Sequence, residues 1–272
     1  MIPRAGITAW RAKAPWPTDA QVEQDLVLSR ALVQMFSSRE VAHAVAFRGG
    51  TALRKLFLQR PGRYSEDLDL VQIDAGAIGP AVDAIRAVLD LWLGTPKRKQ
   101  AHGRVTMLYR FETTTKPVQQ MRLKVEINTR EHFTVFGHQS RRFAVDNPWF
   151  SGSADIGTYQ IEELLGTKLR ALYQRKKGRD IYDLWLALTS LHIDDQKVID
   201  CFARYLEQGD TCVSRAEFEA NLSAKLDAPA FLDDIDPLLP TGAHYDVAAA
   251  GALVSERLIA KLHGEPWRGA GS

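Results

Sequence analysis

The stretch that most restricts this chain is FRGGTALRKLFLQRPGRYSEDLDLV, from Phe47 to Val71. An apolar run, Ala44 to Phe47, ends at Gly49, Gly50 and Thr51; a short helical segment follows, and a second apolar run then carries Asp67 and Asp69. Acids two residues apart on a strand point to the same face. Side-by-side carboxylates repel unless a cation sits between them, and oxygen-only ligands suit Mg²⁺, which is held by one or two carboxylates plus substrate phosphates. Paired glycines let backbone N–H groups approach a phosphate chain, and the helix after them offers its positive end. A glycine turn before an edge strand with solvated acids is the simpler alternative. The combination of glycines and paired acids reads as a nucleotide-plus-metal site.

The rest of the composition is that of a folded chain. Its 272 residues suffice for one large domain or two modest ones with a substantial core. Apolar residues at 45% and charged residues at 25% exclude a disordered chain. A net charge of +2 decides nothing about partners, so any nucleic-acid case rests on local clusters. Cys201 and Cys212 lack metal-type spacing and the histidines are dispersed, so no zinc site is expected. No run approaches the roughly 20 apolar residues of a bilayer span, and MIPRAGITAWRAK lacks an apolar signal core; a cytoplasmic protein with no membrane partner is expected.

Residues 1–17, with three prolines and no period, read as an arm lying on the surface or on a neighbour. Thr18 and Gln21 have the form of a capping box opening a helix to about Ser38, with Val22, Leu26, Leu32, Val33 and Phe36 at helical spacing. Val41–Arg48 is predicted as the first strand, Thr51–Gln59 as a helix, Tyr64–Gln72 as the second strand and Ala77–Leu93 as a helix. Arg104–Glu112 and Met121–Thr129 look extended; in the latter Leu123, Val125 and Ile127 alternate with Lys124, Glu126 and Asn128. Glu126 then projects away from the core aliphatics, either toward Asp67 and Asp69 or as a solvated acid paired with Lys124 or Arg122. Residues 130–158 read as an irregular connection.

From Tyr159 the pattern is helical. Ile161, Leu164, Leu165, Leu169 and Leu172 share one face whose only charge is Lys168. Such a lysine is costly unless it is paired, aimed into a polar cavity or snorkelling to the surface. The run Arg175-Lys176-Lys177-Gly178-Arg179-Asp180-Ile181-Tyr182-Asp183-Leu184 is a basic turn entering a helix. Asp180 falls in its first turn, where an acid stabilises a helix for that reason alone, and Asp183 is placed to pair with Lys168 or Arg179. Helical faces recur near Asp195–Leu206, Arg215–Leu226 and Tyr245–Leu262, and 264–272 reads as a mobile tail. Lys97–Lys99, Arg141–Arg142 and Arg175–Lys177 are basic clusters, either solvated or meeting phosphates; Trp149, Phe150, Tyr173 and Tyr182 are candidates for stacking on unpaired bases.

Gly49-Gly50-Thr51-Ala52-Leu53, followed by Arg63-Tyr64-Ser65-Glu66-Asp67-Leu68-Asp69-Leu70, resembles the first motif of the AbiEii-type (MenT-like) nucleotidyltransferase toxins, a branch of the polymerase β-like superfamily. Leu123–Asn128 looks like the family's corresponding strand. Lys168 and the RDxxDL run from Arg179 fall where the family has its later motifs, and the resemblance covers mainly residues 40–190. It implies an α+β fold: a polymerase β-like nucleotidyltransferase core of mixed sheet and helices over 1–157, then a mainly helical lobe over 158–272 contributing Lys168 and Asp180. It implies catalytic roles for Asp67, Asp69, Glu126, Lys168 and Asp180, Mg²⁺ on Asp67, Asp69 and Glu126, and a nucleotide cradle of Gly49, Gly50, Thr51, Ser65 and Lys168.

The reaction so implied is Mg²⁺-dependent transfer of NMP from an NTP, a pyrimidine nucleotide among the candidates, to an RNA 3′ end, with pyrophosphate released. The implied RNA is tRNA at its acceptor end, and the consequence is arrested translation by the toxin of a bacterial toxin–antitoxin or phage-defence pair, with its antitoxin encoded nearby. Rival readings keep the fold but modify a protein hydroxyl or a small molecule, or make the chain a non-catalytic nucleotide- or RNA-binding regulator. Ser65, two residues before Asp67, is expected to face the triphosphate pocket, where phosphorylation would exclude nucleotide.

Overall fold

In the computed structural model, which describes residues 2–269, the chain divides between Tyr159 and Gln160 into two units. Met1 of the N-terminal arm and residues 270–272 of the tail lie outside the described residues. The fold is α+β, with a seven-stranded mixed sheet in the first unit and helices throughout the second.

The N-terminal segment is no surface arm. It forms α1 (Arg4–Trp10), and Ile2, Ile7 and Trp10 are buried. The Thr18–Gln21 capping box is present and starts α2 (Asp19–Ser37), with Thr18 Oγ1 accepting from Gln21 N at 3.2 Å. This helix is buried nearly all round, and the polar Glu23, Gln24 and Asp25 are covered along with its apolar residues. Burial is tolerated because each has partners: Glu23 accepts from Thr114 N at 2.8 Å, and Gln24 donates to Arg122 O at 2.7 Å while accepting from Tyr64 Oη at 2.6 Å.

Val41–Ala44, expected as strand, instead belongs to α3 (Arg39–Ala44), because Ser38 Oγ accepts from Val41 N and opens a new helical turn. The strand proper is β1 (Val45–Arg48). After it come α4 (Gly49–Ala52), running on into a π-helical turn at Leu53–Phe57, then β2 (Asp67–Gln72) and α5 (Gly79–Leu93). β3 (Lys97–Ala101), β4 (Arg104–Glu112) and β5 (Gln120–Asn128) follow. The expectation of an irregular connection over 130–158 is wrong, since β6 (His138–Val145) and β7 (Gly152–Tyr159) lie there. β6 carries polar residues on an edge and β7 is rich in small ones, so neither shows a strong apolar period.

The sheet runs β3-β4-β5-β2-β1-β7-β6, placing the acidic strand β2 at its centre. β2 is antiparallel to β1 and parallel to β5. β7 is parallel to β1, and Thr158 Oγ1 donates to Phe47 O at 2.6 Å.

The second unit contains α6 (Ile161–Gln174), α7 (Gly178–Ser190), α8 (Asp195–Glu207), α9 (Arg215–Leu226), α10 (Pro229–Leu232) and α11 (Val247–Arg257). Leu164, Leu165, Leu169 and Leu172 form the predicted apolar face of α6, all fully buried. α6 and α8 approach closely at Gly166, where a Cβ would fall 2.5 Å from Cys201 Cβ. Residue 267 is tied back, its N–H donating to Glu219 at 2.7 Å, so the tail read as mobile is anchored at that point.

Candidate active site

Alternation along β2 turns Leu68 and Leu70 into the core and leaves Asp67 and Asp69 on the opposite face. β5 lies alongside with Asp67 opposite Lys124 and Asp69 opposite Glu126, so the three carboxylates share one face of two adjacent strands. Lys124 Nζ is 2.8 Å from Asp67 Oδ2 and 3.6 Å from Glu126 Oε2; Arg104 Nη1 is 3.6 Å from Glu126 Oε1. These side chains are only partly exposed, 33% for Asp67, 31% for Lys124 and 25% for Glu126, so their charges interact through a poorly screened surface.

Burial raises the Asp67 carboxyl above its ordinary range, with Glu66 and Glu126 adding to it and Lys124 only partly offsetting it. Burial pulls the Lys124 ammonium down, yet Asp67, Glu126 and Asp69 outweigh burial and raise it. The direction on Lys124 reports the attraction of the acids for a cation; the direction on Asp67 reports chiefly its burial. A divalent cation fits such a donor set, because its ligands would be hard oxygens at a place that already holds a positive charge. Among the described residues no three His, Cys, Asp or Glu side chains converge into a closed ligand set, so the acids are in register without being drawn together.

Gly49 has φ +81°, and a Cβ there would fall 2.5 Å from Asp69 Oδ2. A side chain at this position would therefore strain the backbone and displace the carboxylate. Gly50 is the second residue of α4. Thr51, 1% exposed, donates from Oγ1 to Asp67 O at 2.8 Å and stands 2.6 Å from Ser65 Oγ. The glycine turn is thereby latched to the acidic strand, with both hydroxyls engaged.

Lys168 is 5% exposed on α6, while Asp180 and Asp183 on α7 are 0% and 3% exposed. Lys168 Nζ is 3.1 Å from Asp180 Oδ1 and 2.7 Å from Asp183 Oδ2. Arg175 adds a bidentate grip on Asp180, with Nε at 2.6 Å and Nη2 at 2.7 Å. Burial pushes the Asp180 carboxyl up, but Lys168 and Arg175 outweigh it and hold it below the ordinary value. The lysine on the apolar stripe is thus paired twice over, with Asp183 among its partners.

Gly49, Gly50, Thr51, Ser65, Asp67, Asp69 and Glu126 all lie in the first unit, and Lys168 and Asp180 belong to the second. The basic clusters divide differently from a simple phosphate-facing surface. Lys97–Lys99 is exposed on the outer strand β3, but Arg141 donates to Leu56 O at 2.8 Å and lies over Phe57, and Arg142 bonds Asp155 and Ser153. Nor do the aromatic residues stand free. Tyr182 is buried against Trp185 and Tyr245, Tyr173 packs on Phe218, and Trp149 and Phe150 carry the Arg30 guanidinium. Sequence alone offers Lys124 as a partner for Glu126 and Arg175 as part of a basic turn; the contact of Lys124 with Asp67 and the bond of Arg175 to Asp180 have no local signature.

The model of the AbiEii nucleotidyl transferase toxins, which belong to type IV toxin–antitoxin systems, matches residues 30–252. Among solved structures the chain resembles MenT4, a nucleotidyltransferase toxin from Mycobacterium tuberculosis, with TM-score 0.67, 20% identity, and 97% of this chain and 91% of that one covered. A putative nucleotidyltransferase from H. pylori matches with TM-score 0.50 and 16% identity over 91% of this chain and all of its own. At these identities both likenesses show the fold. No curated protein sequence matches the chain. With the family model spanning most of its length, and the glycine turn and acidic strand in place, the chain is a member of the AbiEii nucleotidyltransferase toxin family.

Proposed function

We propose that this nucleotidyltransferase toxin transfers an NMP unit from an NTP to the 3′ hydroxyl of an RNA, the tRNA acceptor end, and does so with Mg²⁺. The observation that carries the reading is the register of β2 and β5, which sets Asp67, Asp69 and Glu126 on one face with Gly49 against Asp69. In the reaction the acceptor oxygen attacks the α-phosphorus, the bond from that phosphorus to the pyrophosphate oxygen breaks, and pyrophosphate leaves. Asp67, Asp69 and Glu126 would hold Mg²⁺, which supplies charge neutralisation and orientation for an in-line displacement. Glu126 would also accept the acceptor's proton. Gly49 and Gly50 present a side-chain-free backbone to the triphosphate, and Thr51 and Ser65 fix that turn against the acids.

Lys168 and Asp180 enter on the family resemblance, as the groups that meet the phosphates and complete the machinery. In the structure each neutralises the other, so their part in chemistry is a separate matter for mutation. The purified chain should be incubated with each labelled NTP, Mg²⁺ and total RNA. Label in RNA of tRNA size, with matching pyrophosphate release, is the expected result. Label appearing in protein or in a small molecule, with none in RNA, would overturn the choice of acceptor. No label and no pyrophosphate with any of the four NTPs would overturn the enzymatic reading.

A further inference from the structure

A second charged cavity lies in the first unit, behind the π-helical turn and lined by residues other than those assigned to nucleotidyl transfer. It measures about 230 Å³, and Trp10, Lys13, Arg54, Lys55, Arg60 and Phe143 are among the residues that line it. Four of these six are cations. One buried acid answers them: Asp25, fully buried on α2, takes Arg54 Nη2 at 2.5 Å, Lys55 Nζ at 2.6 Å and Trp10 Nε1 at 2.9 Å. Lys55 also bonds Ser29 Oγ at 2.7 Å. The cavity thus retains an excess of positive charge at its wall.

A second observation points to a missing acceptor. Arg54 is 7% exposed, and its Nε–H is buried without a hydrogen-bond partner. A buried guanidinium donor left unsatisfied costs free energy that an oxygen acceptor in the cavity would recover. Burial first, and then the neighbouring Arg54, pull the Lys55 ammonium down to about 7, with Asp25 only partly offsetting them.

The aromatic residues narrow the ligand's chemistry. Lys13 and Lys55 lie over the Trp10 ring at 5.1 and 5.6 Å, and Lys55 also lies over Phe143 at 5.8 Å. Faces already covered by cations are not available to stack a base, so the cavity suits the anionic group alone.

We propose that this cavity is a second anion site of the chain, taking a phosphate group through Lys13, Arg54, Lys55 and Arg60, whatever base accompanies it. The phosphate is either free, as orthophosphate or pyrophosphate, or part of a polynucleotide backbone. The proposal does not depend on the acceptor assigned above, and its test needs no turnover.

Binding of inorganic pyrophosphate, and separately of a short oligoribonucleotide without terminal phosphates, should be measured by calorimetry on the full chain in EDTA. EDTA removes any divalent cation and with it metal-dependent binding at the Asp67 cluster. Lys13 and Arg60 are exposed at the rim, so Lys13→Ser combined with Arg60→Ser leaves Asp25 and its partners intact. That double variant should bind pyrophosphate about tenfold more weakly, whereas Arg98→Ser on the outer strand β3 should not change it. Lys55→Met should weaken it further if the variant melts as wild type does; the rim variant carries the test if it does not. A free phosphate ligand is identified if only pyrophosphate binding falls, and a backbone phosphate if oligoribonucleotide binding falls as well and pyrophosphate competes with it. Absence of pyrophosphate and oligoribonucleotide binding by wild type, or binding indifferent to the rim variant, would overturn the proposal.

Discussion

On β2 and β5 one lysine faces three carboxylates, with Arg104 on the neighbouring β4 3.6 Å from Glu126; at α6 and α7 a lysine and an arginine face two. The first cluster is a quarter to a third exposed, and burial raises Asp67, with Glu66 and Glu126 adding to it, even with Lys124 at 2.8 Å. In the second, Lys168, Asp180 and Asp183 are buried with the half-exposed Arg175 beside them, and Lys168 and Arg175 lower Asp180 against its burial. Buried charge that is fully paired holds elements together, while charge that is undercompensated and reachable has use for a ligand. On the function proposed above, the sheet cluster is the one that would bind a cation, whereas removing one partner from among Lys168, Asp180 and Arg175 would leave a buried charge unpaired.

Replacing an acid of each cluster separates the two most strongly. Asp67→Asn should reduce nucleotidyl transfer by about a thousandfold or more while the melting temperature stays near wild type, read by labelled-NTP incorporation beside a thermal melt. Asp180→Ala should differ in kind: besides the loss of activity its proposed role implies, it should cost about 3 kcal/mol in urea unfolding because it strips Lys168 and Arg175 of a buried partner. Lys168→Met should cost a similar amount, although the sequence alone predicts relief from removing a charge on an apolar stripe. If both second-unit variants keep wild-type stability and lose activity, the contrast collapses and those groups act in the chemistry alone.

A smaller effect tests the fit between glycine turn and acid. Gly49→Ala should lower transfer by about tenfold to a hundredfold and stability by about 1 to 2 kcal/mol, since it adds both a positive-φ strain and a contact with Asp69. Unchanged metal-dependent activity in that variant would show that Asp69 has room to move.

The smallest effect is a pH trend set by Lys55. Its folded value of about 7 lies below the ordinary 10.5, so the unfolded chain holds more protons between those limits and stability rises with pH across them. Unfolding free energy should increase by about 1 to 2 kcal/mol from pH 7 to pH 9, and Lys55→Met should flatten the rise. Lys225, brought down to about 8 by burial in the second unit, adds in the same direction. A stability that falls steadily over this range would contradict the state assigned to Lys55.

Local pattern reveals the central strands and the glycine turn, and it does so where each face of an element has one environment. β5 alternates cleanly because Leu123, Val125 and Ile127 are all buried while Lys124 and Glu126 are not. β6 and β7 were missed because an exposed edge strand and a strand of small residues have little apolar contrast. The candidate site is legible in part: two-residue spacing places Asp67 with Asp69, but the pairing of Asp69 with Glu126 is set by the register between strands distant in sequence. The same holds for α2, whose Glu23, Gln24 and Asp25 look solvent-facing until the loops and helices that cover them are in place.

The way α1 is fastened bears on how this chain tolerates being cut or tagged. Trp10 lines the charged pocket, and its indole N–H is one of the groups holding Asp25. Trimming the first dozen residues would therefore do more than shorten an end: it would open Asp25, Arg54 and Lys55 to water and remove the buried surface of Ile2, Ile7 and Trp10. A fusion that keeps Ile2 and all that follows it leaves those contacts in place. A truncated product that stayed soluble yet melted early would carry an intact acidic strand in a weakened first unit, and poor activity in it would say nothing about Asp67 or Asp69.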